Sequence, residues 1–440
     1  MELPQFFKRF IKAILPKSIQ DILFIYYNKY NCRKNYKKTI KATYESFNYE
    51  NTIKSLKRKE IVTVAFFMED CTSWKLAAVY KLFEKDVKFK PLIVIIPYLV
   101  YGEKRMLENF AMCVSLCKER GYDYVLTYNK ESKTWRDIRN EISTDVVFFS
   151  NPWEGLTIDD YFITNFPNSL NCYVTYSSEV YGGNLDIDLN QKLHNYVWRY
   201  FLENEIIQKL SKKTSIIKGK NTLVTGFPGL DIYLDPLYKP KNVWKHKQPI
   251  KIIWAPHHTI EDNPYLQWSN FLKYHAFFID IAKSYADTIQ IAFKPHPILK
   301  DKLYDIWGIE KTDLYYDLWD KMPNTQLEES AYEDLFASSD AMIFDSCSFL
   351  NEYLYTKKPS LFLYKDTMDG QFNEFGVKAL QCHQLGFSES DITSFIDRLI
   401  KGEDDPMAER KEHFYQTYLV PPNHKSASMN IFDEIQNVLK

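Results

Sequence analysis

Residues 251–256 read KIIWAP and residues 288–294 read TIQIAFK, two short runs that are nearly continuous in apolar residues. Such runs are typical of strands that are buried on both faces of a parallel sheet. Similar runs recur from residue 61 onward, and they predict strands at 61–67, 91–97, 122–128, 144–150, 171–177, 251–256, 288–294, 341–345 and 359–364. Segments that favour helices lie between them. This alternation predicts βαβ units and an α/β fold with doubly wound sheets.

The helical segments are defined less sharply than the strands. Their apolar residues recur at intervals of three or four, which predicts helices at 104–119, 133–142, about 189–210, 268–285, 298–306, 331–338 and 348–356. The stretch NTLVTGFPGLD at 221–231 reads as the end of a strand followed by turn residues.

The stretch 234–249, LDPLYKPKNVWKHKQP, divides the chain into two series of such units. It has three prolines and no periodicity, which is typical of a linker. A chain of 440 residues and 52.3 kDa is also too long for one compact core. We therefore predict two Rossmann-like lobes that face a cleft, with a helical N-terminal extension at 1–60, lobes at 61–235 and 250–440, and a linker at 236–249.

The first 60 residues carry fourteen Lys and Arg against five Asp and Glu. Within them, Phe6, Phe10 and Ile14 recur near helical spacing with lysines between them, and Pro16 interrupts the pattern. Such a basic amphipathic helix can lie in a membrane interface with its lysines on anionic headgroups. It can equally pack on the protein's own lobe, and the sequence leaves both interpretations open.

The overall composition excludes several classes of protein. A net charge of −1 and a pI near 6.8 give no electrostatic footprint for nucleic acid. Seven cysteines without paired CxxC spacing argue against a disulfide framework and a structural zinc site, and they indicate a reducing compartment. No run of roughly 18–20 apolar residues and no secretory signal is found, so we expect the protein on the cytoplasmic side of the membrane.

Two histidine-bearing loops follow predicted strands of the second lobe. The first loop, APHHT at 255–259, holds His257 and His258, and FKPHP at 293–297 holds Lys294 and His296. Prolines on both sides of His296 stiffen its turn. Because ligands bind at the carboxyl ends of parallel strands, these side chains are expected to meet in the cleft. Imidazoles can donate to phosphate oxygens or take a proton near neutral pH, which favours an anion site with acid–base groups.

A third motif, FDSCSFLNEYLY at 344–355, joins a strand end to a helix start. Asp345 ends the strand, and Ser346 and Ser348 lie where free N–H groups favour a phosphate, although either serine can be a simple helix cap. Glu352, one turn further, can accept hydrogen bonds from ribose hydroxyls. The following loop, 366–376, is either a cover for the donor or a plain surface loop.

The order APHHT, KPHP, D-x-x-S-x-x-x-E and KKPS over about residues 220–380 resembles the CDP-glycerol glycerophosphotransferase family of teichoic-acid and capsule synthesis. The resemblance implies a GT-B-like fold, an acceptor lobe followed by a donor lobe, and no metal or other cofactor. It also implies transfer of glycerol phosphate from CDP-glycerol to a polymer or lipid-linked primer at the inner face of the plasma membrane. By this resemblance His296 and Ser348 bind the donor pyrophosphate with Lys294, Asp345 and Ser346 nearby, and Glu352 lies near the ribose.

The sequence departs from the family's pattern at two places. Where the family has D-Y-S-S, this chain has Asp345-Ser-Cys-Ser348, so a thiol replaces one hydroxyl. The family's W-H-G motif, whose histidine is its presumed base, corresponds to TYSSEVYGG at 175–183, which has no histidine. Glu179 is the nearest replacement for that base, followed by His257 or His258 from the other lobe.

Three functions follow from these observations. The leading hypothesis is transfer of glycerol phosphate, or a similar alditol phosphate, from a CDP-activated donor to a hydroxyl of a polysaccharide, a teichoic-acid-like polymer or a lipid-linked primer. A GT-B glycosyltransferase would use the same phosphate site but would attack carbon rather than phosphorus. A catalytically silent scaffold of a capsule-synthesis complex would explain the missing W-H-G histidine.

Overall fold

The computed structural model describes residues 17–100, 102–261, 267–329 and 331–440, and the side chains of residues 17–29 and of Ser73 are not described. The apolar face predicted from Phe6 to Ile14 lies outside these residues. A long helix follows it at Lys17–Ser46. Within the described ranges, no helix combines the length and apolar character that crossing a membrane requires.

The first sheet has seven parallel strands in the order β3-β2-β1-β6-β7-β8-β9. Their residues are nearly continuous in apolar side chains, which is why they bury both faces. The strands are β1 (Val62–Met68), β2 (Phe89–Ile95), β3 (Tyr124–Leu126), β6 (Val146–Phe149), β7 (Leu170–Val174), β8 (Arg199–Leu202) and β9 (Thr222–Val224), and β4 (Tyr128–Asn129) and β5 (Thr134–Trp135) form a separate antiparallel pair.

The second sheet has six parallel strands in the order β12-β11-β10-β13-β14-β15. The strands are β10 (Ile250–Ala255), β11 (Ile289–Phe293), β12 (Thr325–Leu327), β13 (Ala341–Phe344), β14 (Ser360–Leu363) and β15 (Gln384–Gly386). In both sheets the chain first adds strands on one side of a central strand, β1 or β10, and then crosses over to add strands on its other side. The reversal lies between β1 and β6 in the first sheet and between β10 and β13 in the second, and ligands of doubly wound sheets bind at such points.

Helices cover both faces of the two sheets. They are α1 (Lys17–Ser46), α2 (Tyr49–Lys57), α3 (Ala77–Lys85), α4 (Gly102–Arg120), α5 (Leu185–Leu189), α6 (Lys192–Tyr196), α7 (Glu205–Thr214), α8 (Phe271–Ser284), α9 (Leu299–Trp307), α10 (Ile309–Lys321), α11 (Glu333–Ser338), α12 (Phe349–Glu352), α13 (Glu374–Leu380), α14 (Glu389–Lys401), α15 (Ala408–Phe414) and α16 (Ala427–Leu439).

The last helix crosses back to the first lobe, although the division inferred from sequence groups it with residues 250–440. The α16 residue Phe432 packs edge-on against Phe83 of α3, with ring centroids 5.1 Å apart. At the start of α16, the Asp231 carboxylate accepts the backbone N–H groups of Ala427 at 2.9 Å and Ser428 at 2.7 Å. Helix α16 is therefore packed against the first lobe.

A second contact between the lobes joins the loop 178–183 to the loop 366–376. The backbone N–H of Gly182 donates to the carbonyl of Gln371 at 2.8 Å, and that of Asn373 donates to Val180 at 3.1 Å. A Cβ atom at Gly182 would lie 2.5 Å from the Asn373 backbone nitrogen, so this close approach requires glycine. The 366–376 loop is thus attached to the first lobe rather than being an isolated surface loop.

Two predicted helices are replaced by other structure. Residues 189–210 contain the helix α6, the strand β8 and the start of α7, because the apolar run at 199–202 pairs with β7 and β9. Residues 133–142 form β5 and a 3₁₀ turn instead of a helix. The predicted helix at 348–356 is present as α12 continued by a 3₁₀ turn, Tyr353–Thr356.

Candidate functional site

Most of the residues predicted to form the site line a large cleft between the two lobes. Its volume is about 1900 Å³, above the roughly 300–1,000 Å³ usual for one small ligand, so it has room for a donor and an acceptor together. His258, Lys294, His296, Ser346, Ser348 and Glu352 all line it. These residues follow β10, β11 and β13, the strands at and beside the reversal point of the second sheet.

Three histidines form one group at the ends of β10 and β11. The ring centroids of His258 and His296 are 4.3 Å apart, and the ring of His257 lies 4.3 Å from His258 and 5.3 Å from His296. Burial lowers the pKa of His258 to about 4, and it holds the pKa values of His257 and His296 well below their usual range. All three imidazoles are therefore neutral at pH 7.

One hydrogen bond determines which ring nitrogen of His296 carries the proton. Its Nδ1 accepts the backbone N–H of Ile298 at 3.3 Å, which assigns the proton to Nε2 and makes that atom a donor. His258 differs, because its Nδ1 is buried and has no hydrogen-bond partner within the described part of the chain. The cleft thus offers the His296 imidazole as a donor, whereas the unpaired Nδ1 of His258 is shielded from solvent.

His257 has a supporting position behind the cleft wall. Its Nδ1 bonds with the Thr259 hydroxyl at 2.9 Å, and its backbone N–H donates to the Asp345 carboxylate at 2.6 Å. Asp345 also accepts the backbone N–H of Asn270 at 2.5 Å and is buried. Neither His257 nor Asp345 is among the residues that line the cleft. Asp345, predicted to bind the donor, instead fixes the loop that carries the histidines.

Lys294 brings a buried cation to the cleft. Its Nζ donates to the backbone carbonyl of Glu328 at 3.4 Å, and only 6% of the residue is exposed. Burial lowers the pKa of Lys294 to about 8, although the nearby acids Glu328 and Glu333 oppose this shift. The ammonium group is therefore charged at neutral pH and lies in surroundings that strengthen its pull on an anion.

Ser346 and Ser348 lie between β13 and α12. Ser346 is buried and Ser348 is half-buried, and both line the cleft. Among the described residues, neither hydroxyl has a hydrogen-bond partner. The Ser348 side chain does not cap α12, so the simple capping role is not what it performs.

Glu352 is connected to both lobes. Its carboxylate accepts a short hydrogen bond from the Tyr332 hydroxyl, and that hydroxyl in turn accepts one from Lys75 Nζ of the first lobe at 2.6 Å. The Lys75 ammonium also lies 4.6 Å from the centre of the Tyr332 ring. Burial raises the pKa of Glu352, and the Lys75 charge and the Tyr332 hydrogen bond oppose that shift. Lys75 and Tyr332 also line the cleft, and no local sequence pattern indicated either residue.

Glu179 lies at the seam between the lobes and does not line the cleft. Its backbone N–H donates to the Glu203 carboxylate at 2.8 Å, and its carbonyl accepts from the Asn373 side chain at 2.6 Å. Burial, with the carboxylates of Asp188 and Glu203 nearby, raises the pKa of Glu179 well above its usual range. The site therefore disfavours the charged form of this carboxyl.

The same three histidines are also the group of metal-ligand type in the described residues. One ring nitrogen from each lies within 4.8 Å of the other two. A tetrahedral metal with nitrogen ligands at about 2.0–2.1 Å would draw these atoms closer together. Neutral imidazoles suit either a metal ion or the oxygens of a phosphate, and Lys294 and the two serine hydroxyls beside them suit the phosphate.

Two sheets of Rossmann strand order face one cleft. Imidazoles, a lysine and hydroxyls lie at the reversal point of the second sheet. Together these features define a GT-B-like transferase. Residues 179–437 match the family model described as CDP-Glycerol:Poly(glycerophosphate) glycerophosphotransferase. The match covers more than half of the chain, and the chain belongs to this family. The resemblance read from APHHT and KPHP is therefore confirmed.

One relative in sequence and several solved structures are similar to this chain. Minor teichoic acid biosynthesis protein GgaB of Bacillus subtilis is 24% identical over 248 residues, 51% of this chain and 25% of GgaB, so this chain spans about a quarter of GgaB's length. A variant of the wall teichoic acid polymerase TagF, solved also after a soak with CDPG, has a TM-score of 0.57 at 13% identity over 94% of this chain and 98% of its own. The UDP-GlcNAc 2-epimerase of Neisseria meningitidis, bound to UDP-GlcNAc, has a TM-score of 0.55 at 16% identity over 85% and 99%.

Proposed function

We propose that this chain transfers glycerol phosphate, or a similar alditol phosphate, from a CDP-activated donor to a hydroxyl of a cell-surface polymer or a lipid-linked primer. The observation that carries the proposal is the convergence of His296, Lys294 and Ser348 on one cleft. Membership of the glycerophosphotransferase family and the CDPG soak of the related TagF variant support a CDP-linked donor. In this proposal the second lobe binds the donor and the first lobe binds the acceptor.

The proposed reaction is a displacement at phosphorus. The acceptor oxygen bonds to the phosphorus that carries the alditol, the bond from that phosphorus to the bridging oxygen breaks, and CMP leaves with the electron pair. Negative charge develops on the phosphate oxygens as the transfer proceeds. The Lys294 ammonium, His296 Nε2–H and the hydroxyls of Ser346 and Ser348 are positioned to stabilise that charge. Glu352 accepts hydrogen bonds from the ribose.

For the base we favour His258 over the other two candidates. Of His257, His258 and Glu179, only His258 lines the cleft. A pKa of about 4 keeps it neutral and able to take the acceptor's proton at pH 7. We expect the acidic limb of the pH profile of kcat/KM near pH 4. A limb near or above neutrality that Glu179→Gln removes would assign the proton to Glu179 instead.

The two other hypotheses make different predictions for the same assay. A glycosyltransferase would release a nucleoside diphosphate from a nucleotide sugar, whereas phosphotransfer releases CMP from CDP-glycerol. A silent scaffold would bind a donor without turning it over. Incubation of the protein with CDP-glycerol and a panel of nucleotide sugars therefore tests the proposal, and CMP formed together with a phosphate-linked product is the expected outcome.

We also propose that the chain works as a peripheral protein on the inner face of the plasma membrane in capsule or teichoic-acid synthesis. The basic excess of residues 1–60 supports this, because about 1 kcal/mol per Lys or Arg is available near an anionic surface. We expect full-length protein to pellet with phosphatidylglycerol vesicles at low salt and a variant without residues 1–30 to remain in the supernatant. Full-length protein that ignores such vesicles would contradict the proposal.

A further inference from the structure

The first lobe presents four aromatic side chains to the same cleft. Trp74, Tyr98, Trp153 and Tyr176 follow β1, β2, β6 and β7, and each is half-buried and lines the cleft. We call these four residues the aromatic wall. Since β1 and β6 flank the reversal point of the first sheet, the wall stands where doubly wound sheets bind ligands. It shares the cleft with the histidines of the second lobe.

Three of the four rings of the wall contact other aromatic rings. Trp153 and Tyr176 meet edge to face, with centroids 5.5 Å apart and planes at 65°. Trp74 packs edge-on against Phe66 at 5.8 Å and against Tyr122 at 6.2 Å. Rings fixed in this way offer a large flat contact area at little cost in conformational entropy.

Amide oxygens stand beside the wall. The Asn151 amide donates to the Glu69 carboxylate at 2.8 Å, and the Asn109 amide donates to the Glu69 backbone carbonyl at 2.7 Å. Both asparagines line the cleft, but the Asn109 oxygen accepts from the Cys113 thiol at 3.9 Å, so the Asn151 oxygen is the acceptor that remains. Carbonyl oxygens of this kind accept hydrogen bonds from hydroxyl groups. Flat aromatic faces with hydroxyl acceptors between them are suited to a sugar ring.

Three of the first-lobe cations that line the cleft contact protein groups. Lys75 donates to the Tyr332 hydroxyl, Lys81 pairs with Glu84 at 2.7 Å, and Arg105 lies 3.7 Å from Glu108. A chain of glycerol phosphates has no flat face and one negative charge in each unit. It would be recognised by available cations rather than by rings and amide oxygens.

We propose that the aromatic wall binds a sugar ring at the end of the acceptor, so that the hydroxyl attacked in the reaction belongs to a glycosyl residue. This inference rests on the proposed phosphotransfer and names the class of its acceptor. A sugar held against the wall would direct one hydroxyl toward the phosphate site across the cleft. The Asn151 oxygen would fix the orientation of the ring.

The test is saturation-transfer NMR on the full chain, with methyl glycosides of hexoses and N-acetylhexosamines, glycerol 3-phosphate and CMP as separate probes. We expect at least one glycoside to bind and Trp153→Ala to weaken it about tenfold. The same variant should leave CMP binding unchanged. Trp307→Ala is the matched control, because Trp307 is also half-buried but lies outside the cleft.

Each other outcome overturns the inference. Wild-type protein that binds none of the glycosides, or that loses glycerol 3-phosphate binding with Trp153→Ala, would show that the wall does not recognise sugar. Loss of CMP binding in Trp153→Ala would assign the wall to the nucleotide base. Failure of the proposed phosphotransfer can be told apart from failure of this inference. In that case glycosides would still bind, but CDP-glycerol would yield no CMP.

Discussion

His296→Ala should lower kcat/KM for CDP-glycerol by 10²-fold or more, the range measured when a donor to a developing oxyanion is removed. The imidazole carries its proton on Nε2 because Nδ1 accepts the Ile298 backbone N–H. Burial also keeps its pKa well below the usual range, so the ring acts as a neutral donor across the working pH. The melting temperature should change little, because His296 is half-buried at the wall of the cleft.

His413→Ala is the control for this substitution, since His413 is exposed on α15 and does not line the cleft. It should keep the wild-type rate. A His296→Ala protein with nearly full activity and a much lower melting temperature would show that the residue is structural. A wild-type rate abolished by EDTA would show that the three imidazoles hold a metal ion instead of the donor phosphates.

Lys294→Met should also cost 10²-fold or more in kcat/KM, because it replaces a buried ammonium with an uncharged chain of similar length. The pKa of Lys294 is lowered to about 8, so the cation is present below that pH and is lost as the pH rises through it. The wild-type pH profile of kcat/KM, which reports the free enzyme, should therefore fall above about pH 8. Lys294→Met should lack this basic limb.

Lys358→Met is a closely matched control. Burial also lowers the pKa of Lys358 to about 8. Its Nζ lies outside the cleft and donates to the backbone carbonyls of Ala337 and Ser339, each at 2.5 Å. This variant should be less stable and should keep the basic limb. A basic limb that survives in Lys294→Met, or disappears in Lys358→Met, would contradict the assignment.

Strands with continuous apolar runs were predictable because burial on both faces requires such runs. Both central strands, β1 and β10, lie within one residue of their predicted positions. The three-residue strands β12 and β15 were missed because so short a run carries no periodicity. The strand β8 was absorbed into a predicted helix, because its pairing with β7 and β9 overrides the local pattern.

Residues that line the cleft were predictable from sequence where they directly follow a strand. Residues that reach the cleft through contacts distant in sequence were not. His258, His296 and Lys294 follow strands directly, and the structure brings them together. Lys75 reaches Tyr332 over 257 positions of sequence, a contact that no local pattern can indicate. Asp345 was assigned to the donor because it ends a strand, but its carboxylate is occupied by two backbone N–H groups.

Transfer of a phosphorus-linked group from a CDP-activated donor is the activity that we propose for the cleft. The most direct test is ³¹P NMR of the full chain with CDP-glycerol and an acceptor extract from the cell envelope. We expect CMP and a new phosphodiester in equal amounts, both abolished in His296→Ala. Unchanged CDP-glycerol, together with release of a nucleoside diphosphate from a nucleotide sugar in the same extract, would contradict it.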